Sequence, residues 1–316
     1  MSTTTLSPEK PTKIECAKFY AQYKGHPLGD LATFHRITVE ERADKPIVYF
    51  AGDSSLDNKF WVDVKNRDSK VAVPDIYNKT LDVPDPRPDV AFWLNHVLGD
   101  RATAINTAIE ESMIRERDKG LLPHDQFIRD NIRPEDTLVI SVGGNDVAFK
   151  PTICTAWNML QLAWFSSRES LENGTARPLR HFEILFGAKV QDYIRKLTAM
   201  TKPRAVIVCM IYYPLESGLG QKSWADYQLT ALGYDKWPGK LQAAIRAMYR
   251  QATLEIKVDG TKIIPCALYE LLDGKSARDY TERVEPSEEG GKKMAERFGQ
   301  LVEGVMSGAD NTKLKF

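Results

Sequence analysis

The sequence predicts an α/β fold whose parallel sheet is covered by helices on both faces. Five short apolar or β-branched runs are separated, for the most part, by stretches with helical periodicity. These runs are Ile47–Ala51, Ala102–Asn106, Leu138–Val142, Ala205–Ile211 and Lys262–Ala267. Strands that alternate with helices pair in parallel through right-handed crossovers, and near-continuous apolar strands fit a sheet that is buried on both sides.

Three stretches have the apolar spacing of amphipathic helices, with apolar residues at positions i, i+3, i+4 and i+7. They are Val90–Leu98, Phe182–Met200 and Leu241–Leu254. We expect residues 1–45 to wrap the surface, residues 46–305 to form the main domain, and residues 306–316 to be a tail.

Two aromatic-rich segments, at about 151–178 and about 215–239, do not fit a minimal plan of strands and helices. Both follow the predicted carboxyl ends of strands, where ligands bind in open α/β sheets. Their aromatic residues include Trp157, Trp164, Phe165, Trp224, Tyr227, Tyr234 and Trp237. Two interpretations stay open, which are small satellite cores under long loops and a lid or aromatic substrate pocket.

Composition excludes several classes of function. The 316 residues carry 43 basic and 43 acidic side chains, so zero formal net charge gives no support for a nucleic-acid partner. No apolar run approaches the ~20 residues that span a bilayer. The polar N-terminus does not read as a secretory signal, and we expect a cytoplasmic protein. Cys209 and Cys266 fall inside predicted strands, where reduced core thiols are expected.

Two strand ends carry the chemistry. Gly52-Asp53-Ser54-Ser55 ends the first predicted strand, and Gly143-Gly144-Asn145-Asp146 ends the third. The carboxyl ends of parallel strands meet at one edge of the sheet. A hydroxyl at one end and an amide at the other therefore predict a nucleophile that faces an oxyanion-hole donor.

Together with Ile105–Ile109, these motifs resemble the first three sequence blocks of the SGNH (GDSL) hydrolase superfamily. The resemblance implies a three-layer α/β/α sandwich with a five-stranded parallel sheet, of flavodoxin-like type, here with loop and helix insertions. It also implies that Ser54 is the nucleophile and contributes its own backbone N–H to the oxyanion hole. By the same resemblance, the Ala108 N–H and the Asn145 side-chain amide are the other donors.

The chain departs from the family at the catalytic base. The family's fifth block reads Asp-x-x-His followed by proline, and here the matching positions are Glu282 and Glu285, just before Pro286. An alternative register beginning at Asp279 leaves Pro286 unexplained. A carboxylate with a reference pKa of ~4.3 is a poorer base than imidazole near neutral pH. Burial or a second carboxylate nearby could raise that pKa.

Other assignments of the base and of the acidic residues were weighed. His26 and His35 lie in the wrapping segment and are alternative bases. A metal held by Asp53, Asp57, Asp146, Glu282 and Glu285 is less favoured than capping and turn roles for these carboxylates. We therefore expect no metal and no cofactor.

The sequence thus predicts an ester hydrolase for a small or lipid-like ester, with Glu285 replacing the histidine. Two alternatives remain, which are an inactive ligand-binding protein of the same fold and a non-hydrolytic enzyme that uses Glu285 as its base. The predicted substrate-pocket residues are Asp53, Gly144, Asp146, Trp157, Trp224 and Trp237. No nucleic-acid partner and no membrane span are expected, and the oligomeric state is open.

Overall fold

Five parallel strands form the centre of the molecule. The computed structural model describes residues 13–62, 71–220 and 222–308. Within them the sheet has the strand order β2-β1-β3-β4-β5. The strands are β1 (Ile47–Gly52), β2 (Thr103–Asn106), β3 (Thr137–Ser141), β4 (Ala205–Met210) and β5 (Ile263–Ala267). Every predicted strand is present, each within one residue of its predicted ends, and helices cover both sides of the sheet.

The α-helices alternate with these strands and also form two insertions, which confirms the predicted α/β architecture. The helices are α1 (Cys16–Ala21), α2 (Leu28–Glu41), α3 (Asp75–Thr80), α4 (Val90–Leu98), α5 (Pro123–Asn131), α6 (Gly144–Ala148), α7 (Ile153–Leu160), α8 (Arg168–Glu172), α9 (Leu179–Glu183), α10 (Val190–Leu197), α11 (Asp226–Ala231), α12 (Pro238–Gln251) and α13 (Glu288–Met306). Short 3₁₀ turns span Ile114–Arg117, Thr253–Glu255, Leu268–Glu270 and Ala277–Asp279, and π-helical turns span Gln161–Phe165 and Ile184–Lys189. A small antiparallel hairpin pairs β6 (Tyr280–Thr281) with β7 (Glu285–Pro286).

Burial accounts for the sequence pattern of the strands. Every residue of β1, β3 and β4 is buried, which is why these strands read as continuous apolar runs rather than as alternating ones. The two cysteines of β4 and β5, Cys209 and Cys266, pair in register and are free thiols.

One predicted helix is interrupted. The segment Phe182–Met200 was expected to be continuous, but α9 passes into the π-helical turn Ile184–Lys189 before α10 begins. Gly187 in that turn packs closely on the chain after α12, since an added Cβ would lie 3.3 Å from the Ala252 Cβ. The widened turn therefore coincides with the point where this helix meets α12.

The described part of the N-terminal segment folds as α1 and α2, and a buried ion pair fixes the loop between them. Lys59 Nζ lies 2.6 Å from Asp57 Oδ1, and both side chains are fully buried. Asp57 also accepts the Gly25 N–H at 2.9 Å, and Lys59 donates to the Tyr23 carbonyl at 3.3 Å. Residues 1–12 and 309–316, parts of the predicted wrapping segment and tail, lie outside the described residues.

Among the described residues, no helix has both the length and the apolar character needed to cross a membrane.

The carboxyl ends of β1 and β3 approach each other closely at Gly52. A Cβ built on Gly52 would lie 2.1 Å from the Ser141 carbonyl oxygen, which is far inside van der Waals contact. The next residue, Asp53, donates its N–H to that same carbonyl at 3.2 Å. Only glycine lets the first strand end this close to its neighbour.

Gly52→Ala is therefore expected to destabilise the fold by about 3 kcal/mol or more, because backbone atoms must move apart. Gly29→Ala is a matched control, since Gly29 lies in the first turn of α2 with open space around it. The control should be neutral or stabilising by up to ~1 kcal/mol. Urea unfolding of both variants measures the difference, and equal stability would contradict the close approach.

Candidate active site

Ser54 lies in the turn that follows β1 and lines an open cavity of about 110 Å³. The turn is closed by N–H groups of Leu56 and Asp57, which donate to the Asp53 carbonyl at 3.0 and 2.9 Å. The neighbouring hydroxyl of Ser55 is engaged elsewhere, because its Oγ lies 2.7 Å from both Asp53 Oδ1 and the Ser141 Oγ. Ser54 is thus the serine of this turn whose hydroxyl is left to face the cavity.

Asn145 reaches the same cavity from the end of β3. Gly143 has a φ of 102°, a left-handed conformation that glycine tolerates, and it turns the chain into α6. The Asn145 side chain donates one N–H to the Ser112 carbonyl at 3.1 Å. A primary amide has a second N–H, so one donor remains. The Ser54 backbone N–H has no hydrogen-bond acceptor among the described residues.

Glu285 is brought to the cavity by the β6–β7 hairpin. The hairpin is held on both sides of Glu285, since Tyr212 donates its hydroxyl to the Val284 carbonyl at 2.6 Å and Asn58 donates to the Pro286 carbonyl at 3.2 Å. The carboxyl group is buried and lines the cavity with Ser54. These contacts fix the backbone on either side of the proposed base.

Burial raises the pKa of Glu285 to about 8. The carboxyls of Asp53 and Glu282 raise it further, while interactions with Ser54 and Trp224 oppose the shift. Trp224 Nε1 donates to Glu285 Oε1 at 3.3 Å. The other oxygen, Oε2, has no hydrogen-bond partner among the described residues. Ser54 therefore lowers the pKa of Glu285 without a well-formed hydrogen bond to it.

Glu282 does not contact Glu285 directly, although the family pattern pairs these two positions. Its Oε2 accepts the Trp224 backbone N–H at 3.0 Å. Glu282 therefore fixes the backbone of Trp224, and the Trp224 indole in turn binds Glu285. Arg283 points away from the cavity and binds Asp226 and Asp235 at 3.0 and 2.8 Å. No compensating cation from this hairpin therefore reaches Glu285.

Asp279, the start of the alternative register, is not at the cavity. Its carboxyl is paired with Lys293 at 2.7 and 2.8 Å, beside the start of α13. Ser287 begins that helix, accepting the Gly290 N–H at 3.2 Å. The register that places Glu285 before Pro286 is therefore the one that brings a carboxyl to Ser54.

A second buried carboxyl, which sequence reasoning missed, belongs to Glu110. Its Oε1 and Oε2 each lie 3.3 Å from Trp61 Nε1, and its backbone N–H donates to Asp57 Oδ2 at 2.9 Å. Burial, followed by the nearby charges of Glu285 and Asp57, raises the pKa of Glu110 to about 9. Its place four residues after Asn106, the last residue of β2, was the available sequence signal.

Glu110→Gln is expected to stabilise the protein in alkali. A carboxyl whose folded pKa lies above its unfolded value favours folding at low pH, and that contribution is lost as pH rises from about 4.5 to about 9. The variant should therefore unfold at a melting temperature roughly 3–6 °C above wild type at pH 9, with little difference at pH 5.

Calorimetry at both pH values tests this, with Glu111→Gln as the exposed-side control. Glu111 pairs with Lys24 at 2.8 Å near the surface, so its removal should change the melting temperature little at either pH. Equal melting temperatures of Glu110→Gln and wild type at pH 9 would contradict the buried protonated state.

None of the five histidines, all within the described residues, lines the cavity. Nδ1 of His26 lies 2.7 Å from the Phe19 carbonyl oxygen, and burial lowers its pKa. The ring of His35 packs between Tyr49 and Phe127. The two histidines that were alternative bases are therefore placed elsewhere, as are His96, His124 and His181.

The expected donor Ala108 is also turned elsewhere. Its N–H donates to Asn106 Oδ1 at 3.1 Å, and the residue is buried without lining the cavity. Among the described residues, Glu111 and Glu282 are the non-glycine residues with positive φ, at 60° and 56°.

The predicted substrate-pocket residues divide into two groups. Asp53, Gly144 and Trp224 line the cavity. Asp146 instead accepts the Ile114 N–H at 2.8 Å and braces the 3₁₀ turn there. The other two tryptophans, Trp157 and Trp237, do not line this cavity. Their exposed fractions are 60% and 50%.

Beyond its polar end, the cavity is apolar and adjoins a second, inner cavity of about 40 Å³. The two share an apolar wall contributed by α6, α7, α12 and the ends of β4 and α11; the shared residues are Val147, Met159, Ile211, Leu232, Leu241 and Ile245. The polar side chain of the inner cavity, Lys240, donates to the Ala163 carbonyl at 3.1 Å. An apolar group longer than acetate fits this shape.

The acidic residues do not form a metal site. Among the described residues no group of three or more histidine, cysteine, aspartate or glutamate side chains is arranged to hold a metal ion. Asp53 illustrates why, because its Oδ1 is taken by the Ser55 N–H and hydroxyl, and burial raises its pKa to about 6.

Comparison with known proteins gives structural likenesses only. No protein-family model and no curated protein matches the sequence. Among solved structures, a carbohydrate acetylesterase from Sinorhizobium meliloti, Est24, is 14% identical over 83% of this chain and 100% of its own, with a TM-score of 0.43. An aryl esterase from M. smegmatis is 12% identical over 82% and 99%, with a TM-score of 0.43.

A phospholipase A1 from Streptomyces albidoflavus NA297 is 12% identical over 81% of this chain and 99% of its own, with a TM-score of 0.37. At this level of similarity the activities of these proteins do not transfer to the chain. A function must therefore be argued from the cavity and its side chains.

Proposed function

We propose that this protein is an ester hydrolase in which Ser54 is the nucleophile and Glu285 is the general base. The observation that carries the proposal is the meeting of a free serine hydroxyl and a buried carboxyl at the polar end of one apolar cavity. A base works best when its pKa is near the operating pH. A value of about 8 brings Glu285 into that range, where an exposed glutamate would be far below it.

The residues support a two-step acyl transfer. Glu285 accepts the Ser54 proton as Oγ attacks the ester carbonyl carbon, and the electron pair of the C=O bond moves onto oxygen. The Ser54 N–H and the second Asn145 N–H are donors for that oxyanion. Glu285 then returns the proton to the departing alcohol, which leaves Ser54 acylated. Glu285 next deprotonates a water molecule as its oxygen attacks the acyl carbon. The bond from that carbon to Ser54 Oγ then breaks, the acid leaves, and Glu285 returns the proton to Oγ.

The wall of the cavity favours an ester with an apolar acyl group. Its long side is lined by aliphatic side chains, and Trp224 covers the polar end. An apolar chain that enters the inner cavity would meet Phe182, Phe186 and Met248. Burial of each additional methylene contributes about 0.8 kcal/mol, which favours longer acyl chains over acetate.

The decisive experiment combines fluorophosphonate labelling with turnover of p-nitrophenyl octanoate between pH 5 and pH 9. Wild type should label at Ser54, and kcat/KM should rise with pH, with a midpoint near 8, as Glu285 ionises. Glu285→Gln should lower kcat by roughly 10²–10⁴-fold and remove the rise. Glu285→His should move the midpoint of the profile toward ~6.5, the ordinary histidine value.

Ser54→Ala and Ser55→Ala form the matched control pair. Labelling should be lost in Ser54→Ala and kept in Ser55→Ala, because the Ser55 hydroxyl is held by Asp53. Absence of labelling and turnover in wild type would refute hydrolysis. If a ligand then raised the melting temperature, the result would favour the binding-protein alternative.

Trp224→Phe is expected to shift the pH profile upward while keeping some activity. The indole N–H donates to Glu285 Oε1 and lowers the pKa of that carboxyl. Phenylalanine removes the donor and keeps an aromatic ring, so the base should ionise at higher pH. The control is Trp237→Phe, outside the cavity, for which the midpoint should stay unchanged. A downward shift in Trp224→Phe would contradict the role of this hydrogen bond.

A further inference from the structure

Helix α7 and the turn Gln161–Phe165 after it are apolar on two opposite sides. Met159 and Leu162 are buried and face the cavities. On the other side, Ile153, Trp157 and Trp164 are 92%, 60% and 51% exposed. Ile153 and Trp157 lie one turn apart on α7, and Trp164 lies in the π-helical turn that follows. A helix with an ordinary solvent side would carry polar residues there.

The exposed stripe continues onto the second insertion. Trp164 Nε1 donates to the Ala231 carbonyl at the end of α11 at 3.0 Å, and its ring meets the Trp237 ring edge-to-face at 5.9 Å. Tyr227 lies one helical turn before Ala231 on α11 and is 83% exposed. We name this surface the aromatic face and define it as Ile153, Trp157, Leu160, Trp164, Phe165, Tyr227 and Trp237.

Cations flank the uncharged run of the chain that carries most of the aromatic face. No charged residue occurs between Lys150 and Arg168, a run of 17 residues that includes most of the face. Arg177 lines the same open groove as Trp157 and Phe165. Lys150 and Arg177 form no ion pair within the described part of the chain, whereas Arg168 is paired with Glu172 at 2.8 Å.

We propose that the aromatic face binds the surface of an anionic lipid bilayer. Tryptophan and tyrosine favour the boundary between headgroups and acyl chains, where an apolar ring and a polar N–H or O–H are both accommodated. Free lysine and arginine beside the apolar residues are attracted to anionic headgroups. The uncharged apolar run with cations beside it fits a surface that has anionic groups above an apolar layer.

Binding of lipid to the aromatic face would bring the lipid surface close to the apolar cavities, because α7 separates the two. The same helix turns its inner side, Met159 and Leu162, to the apolar cavities. A lipid surface on the outer side would therefore lie one helix diameter from the apolar wall, about 10 Å. Lipid binding does not depend on the proposed hydrolysis, so the two can fail separately.

The test is co-sedimentation of the full chain with large unilamellar vesicles of phosphatidylcholine, with and without 30 mol% phosphatidylserine. Wild type should bind the anionic vesicles more strongly, and binding should weaken between about 0.05 and 0.5 M salt. The double variant Trp157→Ala, Phe165→Ala should lose at least about tenfold in the partition coefficient. Met200→Ala, an exposed residue before β4 at the opposite edge of the sheet, is the control and should bind like wild type.

Ser54→Ala should bind vesicles like wild type, which separates this proposal from hydrolysis. Absence of wild-type binding to either vesicle type would overturn the proposal. It would also be overturned by equal binding of the double variant and the Met200→Ala control. Sedimentation velocity without vesicles provides a further check. A dimer that the double variant abolishes, together with no vesicle binding, would assign the aromatic face to a second copy of the chain instead.

Discussion

Exclusion of water from the carboxyl edge of the sheet is the constraint on which the site depends. Burial is the largest cause of the raised pKa values of Asp53, Glu285 and Glu110, at about 6, about 8 and about 9. The charges of these groups also act on one another, so full ionisation of all three would add repulsion to desolvation. Glu285 and Glu110 therefore retain protons near neutral pH. The three carboxyls titrate as a coupled group rather than independently.

Two parts of the chain distant from Ser54 set this environment. The N-terminal segment closes one side through Asp57, which binds both the Gly25 N–H and the Glu110 N–H. The second insertion closes the other side through Trp224, which Glu282 holds by its backbone. Glu282 is thus connected to the proposed base through Trp224, whose indole N–H binds Glu285.

The sequence was sufficient to predict the sheet and the approach of two strand ends, because apolar runs and Gly-Asp-Ser or Gly-Gly-Asn ends are local signals. Glu285, which the sequence singled out, lies in the hairpin that reaches the cavity. The assignment of roles to these residues stays a prediction. Glu110 could not be found in this way, since its burial arises from Trp61 and Asp57, which only the folded chain brings to it. The π-helical turns were missed for the same reason, as Gly187 packs against a distant helix end.

A glutamate as the proposed base depends on the insertion that covers it. Imidazole has a reference pKa of ~6.5 and can accept a proton near neutral pH in a partly hydrated site. A glutamate reaches a comparable range only when water is removed, and here Trp224 from the second insertion borders the carboxyl it binds. Entry of water would bring the pKa of Glu285 back toward ~4.3 and weaken it as a base. In this chain the strength of the proposed base therefore depends on the cover that keeps water out of the cavity.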